Sequence, residues 1–172
     1  YGIIYDARFF QYLEDNIEQV ASLANEAAAH MTARSCEIKA DVVSQDEKEL
    51  GLRAILNFGH TAAHAIEKNT GYTKYNHGEA VAIGMVCAAY ISKALGMIDQ
   101  SVVDRVISLI LKLHLPIKAQ GCTVEDLYRD IFHDKKTVGG KVKWILMESI
   151  GQVCGNSNVP EEIVKGAMQK IV

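Results

Sequence analysis

The sequence has few prolines, no closely spaced cysteines and no long apolar run, and each absence excludes a class of protein. Only Pro116 and Pro160 interrupt 172 residues, so long helices are permitted through most of the chain. The four cysteines lie far apart without a C-x-x-C pair, which argues against a disulfide framework or a cysteine-rich zinc site and favours free thiols in the cytoplasm. The longest uncharged run, residues 80–92, is too short to span a bilayer.

Charge and composition further limit the classes of protein and of partner that fit this sequence. The net charge is −3 and basic residues form no long runs, so we expect neither a nucleic-acid nor a membrane partner. Apolar residues make up 49% of the chain and charged residues 23%, which is typical of one globular domain with its own core. The chain begins with Tyr1-Gly2 and not with methionine, so we expect a further part of the protein upstream.

Hydrophobic periodicity predicts a mainly α fold: a bundle-like, multi-helix domain with one small β-hairpin near residues 141–154. Asp6 is placed to cap a first short helix. Further helices are expected over 18–43, 52–70, 77–95, 101–113, 123–132 and 160–171.

The segment 52–70 carries an unusual polar stripe. At about 100° per residue, the reactive side chains of this predicted helix fall within an arc roughly 80° wide, and most other positions are apolar. They are Arg53, Asn57, His60, His64 and Glu67. A single histidine would ordinarily satisfy a hydrogen bond in the core. Five reactive groups on one stripe instead indicate a buried helix that faces a cleft.

A second histidine-bearing segment strengthens this hypothesis. His77-Gly78-Glu79 begins an apolar helix, so His60 and His77 could meet at one metal across two packed helices. A catalytic zinc ion takes three protein ligands, and Glu67 or Glu79 could supply the third. The ordinary interpretation of Glu79 is a first-turn carboxylate that interacts with the helix dipole, and the sequence favours it over a metal ligand.

Cations are placed around the same segments, at Arg53, Lys39 and the Lys135-Lys136 pair. A solvated surface charge is the ordinary interpretation of each lysine taken alone. Together with a metal they favour an anionic substrate that carries phosphate or carboxylate.

These segments resemble 3-dehydroquinate synthase along the whole chain. The resemblance is carried by residues 39–53, by Leu56-Asn57-Phe58-Gly59-His60-Thr61-x-x-His64-Ala65-x-Glu67, by His77-Gly78-Glu79-Ala80-Val81-Ala82-x-Gly84-Met85, and by Asp134-Lys135-Lys136 with Gly140-Lys141. Two positions depart from the family pattern: Ala63, where glycine is usual, and Leu50, where a small residue is usual.

The resemblance implies an enzyme that converts 3-deoxy-arabino-heptulosonate 7-phosphate to 3-dehydroquinate and phosphate in the shikimate pathway. Such enzymes use NAD transiently and a divalent metal, zinc or cobalt, and act as homodimers. Residues 1–172 would form the C-terminal metal- and substrate-binding domain of a larger two-domain enzyme whose NAD-binding domain is absent here. By resemblance, the metal ligands are His60 and His77, the catalytic residues are His64, Lys39 and Glu49, and the substrate-binding residues are Arg53, Asn57, Lys135 and Lys136.

The resemblance also implies that something is missing from these 172 residues. The family carries an E-x-x-K immediately before the Tyr-Gly-Ile with which this chain begins, and that glutamate is the third metal ligand. We therefore expect the fragment alone to be inactive and to bind zinc weakly.

Three other functions stay open at this point. Another sugar-phosphate cyclase, such as a 2-deoxy-scyllo-inosose synthase, would share the metal site. A metal-dependent polyol dehydrogenase is less favoured, because a neutral polyol needs no cluster of cations. A non-catalytic helical module with a structural metal would normally need four protein ligands.

Overall fold

The computed structural model describes residues 1–48, 51–133 and 142–172. The helices are α1 (Ala7–Asp15), α2 (Ile17–Ala21), α3 (Asn25–Gln45), a 3₁₀ helix at Leu52–Asn57, α4 (His60–Asn69), α5 (His77–Ala94), α6 (Gln100–Lys112), α7 (Val124–His133) and α8 (Glu161–Met168). The strands β1 (Trp144–Ser149) and β2 (Gln152–Asn156) pair in antiparallel fashion. Over these described residues, the predicted mainly α fold with one small hairpin is confirmed.

Helix α5 lies at the centre of the fold. It is apolar on nearly every side, and α4, α6, α8 and β1 all pack against it. Its one buried polar side chain, Ser92, donates to the Ala88 carbonyl at 2.7 Å and accepts from the Met147 amide at 2.9 Å. Because the hydroxyl is satisfied on both sides, it joins the hairpin to α5 without leaving a buried polar group unpaired.

Helix ends follow local chemistry that the sequence shows. The Asp6 side chain accepts from the amides of Arg8 and Phe9 and so caps α1, as predicted. Gly96 ends α5 with a positive φ of 72°, and its neighbour Met97 donates back to the Ser92 carbonyl. This is the left-handed ending that glycine favours.

The prediction of one helix over 18–43 is wrong at residues 22–24. The α2 helix ends there because Ala24 donates to the Gln19 carbonyl and Leu23 to that of Val20, with Leu23 in the left-handed region at φ 54°. Glycine usually occupies this position, so leucine hides the end of the helix from a sequence analysis.

The prediction of one helix over 52–70 is wrong as well. Leu52–Asn57 is a 3₁₀ helix, and Gly59, at φ 82°, separates it from α4. A 3₁₀ helix turns by about 120° per residue instead of about 100°, so the spacing that defines the stripe in α4 does not apply to the residues before Gly59.

Within the described residues, none of the helices has both the length and the apolar character that crossing a bilayer demands.

Candidate metal and substrate site

Three histidine rings meet where α4 and α5 begin. His60 is the first residue of α4, His64 lies one turn later, and His77 is the first residue of α5. The ring centroids are 5.2 Å apart for His60 and His77, 5.8 Å for His60 and His64, and 6.3 Å for His64 and His77. The structure therefore brings the two predicted metal ligands and the predicted catalytic histidine together.

Close contact between the backbones of α4 and α5 produces this arrangement. A Cβ atom on Gly84 would lie 2.0 Å from the Gly59 carbonyl oxygen and 3.2 Å from the Ala63 amide nitrogen. A Cβ atom on Gly59 would lie 2.8 Å from the Val81 carbonyl oxygen. Two glycines that face each other thus allow the helices to touch, and His60 follows the contact directly.

Each of the two predicted metal ligands is oriented by a hydrogen bond at Nδ1. In His77, Nδ1 lies 2.9 Å from Glu67 Oε1, and in His60, Nδ1 lies 3.2 Å from the Phe58 carbonyl oxygen. Both partners are acceptors, so Nδ1 carries the proton in each ring and the lone pair is left on Nε2. A carboxylate or carbonyl that holds the far nitrogen in this way is the usual support of a metal-ligating histidine.

The electrostatic surroundings keep His60 in its neutral form. Burial is the largest influence on the pKa of His60 and lowers it. The hydrogen bond to Phe58 opposes that shift, while the neighbouring His77 and His64 reinforce it. A neutral imidazole at pH 7 has a lone pair ready for a cation.

The two carboxylates considered as a third ligand have other contacts. Glu67 is buried and supports His77, whereas Glu79 closes a capping box: its carboxylate accepts from the Asn76 amide at 2.9 Å, and Asn76 Oδ1 accepts from the Glu79 amide at 2.9 Å. In the part of the chain that the structure describes, no group of three or more His, Cys, Asp or Glu side chains is arranged to hold a metal ion. The donor set found here, two imidazoles with an orienting carboxylate, fits a metal whose further ligands come from elsewhere.

A cavity of about 520 Å³ opens beside the histidines. Its described lining residues come from the 3₁₀ helix, from α4 and from the start of the hairpin: Ala54, Asn57, His60, Thr61, His64, Lys143 and Ile145. The predicted substrate-binding residue Asn57 is therefore part of this surface.

Three predicted site residues, His77, Arg53 and Lys39, are not part of the cavity lining, although His77 stays close to it through His60. Arg53 donates through Nη1 to the Glu47 carbonyl at 3.0 Å, and its amide donates to Asp46 Oδ2 at 2.9 Å. Lys39 is exposed on α3. The predicted residues Glu49, Lys135 and Lys136 lie outside the described residues.

Sequence reasoning missed two features of the site. The orienting role of Glu67 depends on a contact with a different helix, and only its place on the stripe signalled it. Lys143 was not proposed at all. The signal was there, however, because Lys143 and Ile145 are two residues apart at a strand, and residues with that spacing share a face.

Comparison with known proteins places this chain in a family. Residues 1–137 match the family model "3-dehydroquinate synthase C-terminal". A curated 3-dehydroquinate synthase from a Shewanella species is 46% identical over 96% of this chain and 46% of its own length. Another, from a Synechocystis species, is 47% identical over 98% of this chain and 47% of its own length. This chain thus spans just under half the length of these relatives.

Solved structures show the same fold at lower identity. A 2-epi-5-epi-valiolone synthase from Streptomyces hygroscopicus, with NAD⁺ and Zn²⁺ bound, has a TM-score of 0.84 and 23% identity over 98% of this chain and 47% of that chain. A 2-deoxy-scyllo-inosose synthase, in complex with carbaglucose-6-phosphate, NAD⁺ and Co²⁺, has a TM-score of 0.65 and 24% identity over 78% of this chain and 39% of that chain. Sequence and fold agree, and the chain belongs to the 3-dehydroquinate synthase C-terminal family.

Proposed function

We propose that residues 1–172 are the C-terminal metal- and substrate-binding domain of a two-domain 3-dehydroquinate synthase. The whole enzyme converts 3-deoxy-arabino-heptulosonate 7-phosphate to 3-dehydroquinate and phosphate in the shikimate pathway. The observation that carries this proposal is the proximity of His60 and His77, whose ring centroids are 5.2 Å apart. The chain that holds them is 46% identical to a curated protein of that name. NAD and a divalent metal, zinc or cobalt, are its proposed cofactors, as in the solved relatives.

The two oriented imidazoles would hold the metal through Nε2. When bound, a divalent metal supplies Lewis-acid stabilisation of negative charge on substrate oxygens. Glu67 keeps the His77 ring in the ligating orientation, since its carboxylate accepts from Nδ1. The His64 ring centroid lies 5.8 Å from that of His60 and 6.3 Å from that of His77. Histidine is the side chain most often used in general acid–base catalysis, which suits His64 to move protons to and from substrate oxygens.

The substrate is a small phosphorylated sugar acid, so its two anionic groups must be held in one pose. Asn57 offers an uncharged amide at the cavity. For Lys39, Glu49, Arg53, Lys135 and Lys136 we keep the roles that the family resemblance implies. Arg53 and Lys39 do not line the cavity, so a substrate role for either requires a movement of its side chain or a second substrate-contacting surface.

The remaining parts of the proposal concern the whole protein. The relatives are about twice as long as this chain, so we infer that NAD is bound mainly by the other half and that residues 1–172 alone do not turn over. We also propose a cytoplasmic homodimer without nucleic-acid or membrane partners. All four cysteines are free thiols, which agrees with a reducing compartment.

A phosphate-release assay on the full-length protein with NAD and zinc tests the proposal. The His64→Asn variant should keep its metal and lose about a hundredfold in rate, as expected for loss of a proton-transfer group. The His60→Ala variant should lose metal and activity together. The matched control is His30→Ala, because His30 lies on the exposed α3 against Tyr12, far along the chain from the site.

Two results would contradict the proposal. Phosphate release from glucose 6-phosphate, but not from the heptulosonate phosphate, would assign the chain to a 2-deoxy-scyllo-inosose synthase activity. Full activity of His60→Ala would exclude the proposed metal site and favour the non-catalytic alternatives for these histidines.

A further inference from the structure

The segment that leads into α5 is exposed almost throughout, and Tyr75 is the exception. His77, the first residue of α5, keeps 58% of its side chain exposed, so packing in the core does little to fix its position. Residues 71–74 and 76 are exposed as well. Within residues 71–76, Tyr75 is the residue that packs against the hydrophobic core. The position of His77 therefore depends on how the backbone before it is held.

The Tyr75 hydroxyl holds that backbone through two hydrogen bonds to a segment far along the chain. It accepts from the Gln120 amide at 2.8 Å and donates to the Lys118 carbonyl at 3.2 Å. The neighbouring Lys74 adds a third hydrogen bond, because its Nζ donates to the Gln120 carbonyl at 2.7 Å. Two successive residues just before the N-cap of α5 are thus joined to residues 118–120.

The segment 118–120 is itself anchored. Ala119 is fully buried, and its amide donates to the Ile171 carbonyl. Lys118 Nζ donates to the Val172 carbonyl oxygen at 3.1 Å. Because residues 118–120 are tied to the core and to the residues that follow α8, Tyr75 binds a fixed part of the fold and not a second exposed loop.

The other contacts of His77 do not supply this anchor. Glu67 orients the His77 ring through Nδ1, and the capping box of Asn76 and Glu79 shapes the first turn of α5. Both contacts are made by α4, by α5 or by the residue that precedes α5. They fix the ring and the turn, whereas the hydroxyl of Tyr75 joins the start of α5 to a third part of the molecule.

We propose that Tyr75 is a positioning residue for the metal ligand His77. Its hydroxyl fixes the backbone that enters α5 and so sets the distance between the His77 and His60 rings. This inference rests on the proposed function and deepens it, since it concerns the metal site. Tyr75 is not among the described residues that line the cavity, so it acts through His77 and not on the substrate. Ligands must be held to within about 0.5 Å of the productive geometry, and this makes the anchor of a ligand measurable as metal affinity.

The test uses cobalt(II) and the full-length protein. Tyr75→Phe removes the hydroxyl and keeps the ring. Tyr72→Phe is the matched control, because it makes the same change in the same connection at a residue that is 71% exposed. Lys74→Met removes the third hydrogen bond alone. The measurements are the cobalt dissociation constant, the cobalt absorption spectrum, urea unfolding of the metal-free protein, and phosphate release at saturating cobalt.

For Tyr75→Phe we expect the cobalt dissociation constant to rise about three- to tenfold. This is less than the effect of removing a direct partner of a ligand, because Tyr75 acts one step further away. The absorption bands should shift, since the ligand geometry changes. Phosphate release at saturating cobalt should stay close to the wild-type rate, because the substrate cavity is intact. Lys74→Met should raise the dissociation constant by a smaller factor, and Tyr72→Phe should match the wild type.

An unchanged cobalt dissociation constant in Tyr75→Phe would overturn the inference, even if urea unfolding showed a loss of stability. An equal loss of affinity in Tyr72→Phe would overturn it too. A wild-type protein that binds cobalt but releases no phosphate from the proposed substrate would contradict the proposed function instead, and the dissociation constants would still decide the part played by Tyr75. A wild-type protein that binds no cobalt would overturn the inference together with the metal site.

Discussion

Two helix contacts in this molecule are built by different means. Helices α4 and α5 touch through their backbones at Gly59 and Gly84, and the groups around the contact are buried. The start of α1 is joined to α3 through an ion pair near the surface, in which Arg34 Nη2 lies 2.8 Å from Asp6 Oδ2. The Arg34 side chain remains 38% exposed.

The difference explains where the reactive groups lie. Backbone contact leaves little freedom in the distance between α4 and α5, so His60, His77 and Glu67 are held at set positions relative to one another. Helix α3 buries only Ala27, Ile38 and Val42 along 21 residues, and its polar side chains are mostly solvated. A site that must align several ligands is expected at a contact made through the backbones, such as that between α4 and α5.

The largest effect should come from breaking the α4–α5 contact. In Gly84→Ala the new Cβ would meet the Gly59 backbone, so the helices must separate and the free energy of unfolding should fall by about 3 kcal/mol. Urea denaturation measures this change. Gly166→Ala on α8 is the control, because a Cβ there meets nothing within 4 Å and alanine should stabilise the helix by about 0.5–1 kcal/mol. Equal stability of the two variants would contradict the role given to the contact.

A smaller effect is expected from weakening the hydrogen bond that orients His77 while α4 and α5 stay in place. Glu67→Gln removes the charge that supports His77, and metal affinity should fall by about 10- to 100-fold while the fold is kept. Cobalt(II) absorption titration of the full-length protein measures the affinity and also reports the ligand geometry.

Glu79→Gln is the matched control for this carboxylate. Glutamine can take the same place in the capping box with Asn76, so metal affinity should be unchanged. A loss of affinity in Glu79→Gln equal to that in Glu67→Gln would show that Glu67 does not act through His77.

The smallest effect is expected at the α1–α3 contact. Asp6→Ala removes the cap of α1 and the partner of Arg34, and should cost about 1–2 kcal/mol, mostly from the cap. Asp6→Asn keeps an acceptor for the amides and should cost less. Thermal or urea unfolding of both variants checks the order, and a larger loss in Asp6→Asn would contradict it.

The same carboxylate gives this contact a pH dependence. Burial would raise the pKa of Asp6, but hydrogen bonds from Arg34 and from the Phe9 and Arg8 amides outweigh it and hold the pKa below its ordinary value. A lowered pKa in the folded state means that the stabilisation is complete above about pH 4 and is lost as the pH falls through the lower value. The difference between wild type and Asp6→Ala should therefore shrink in acid.

Local signals predicted much of the fold. Asp6 caps α1 as predicted, because its carboxylate acts on the amides of its own backbone neighbours. The end of α2 was missed because Leu23 takes a conformation that its residue type rarely adopts. The residues next to Leu23 in the sequence do not predict this backbone conformation.

The part of the site that depends on local helical geometry was predicted as well. His60 and His64 are one turn apart on α4, so their proximity follows from helical geometry alone. Arg53 was expected on the same stripe, but Gly59 changes the direction of the chain and Arg53 binds the Glu47 carbonyl instead. The place of Lys143 in the cavity lining depends on where the hairpin packs, which a strand pattern does not state.

The sequence by itself determined which reactive groups the chain carries, the helices on which His60, His64 and His77 lie, and the family to which it is similar. Only the tertiary structure decided that His77 meets His60, that Glu67 supports His77, and that Lys143 faces the same cavity. The physical reason is that side-chain periodicity is a property of a single element. The relative position of two elements is set by packing between surfaces, here by two glycines whose missing Cβ atoms allow the backbones to touch.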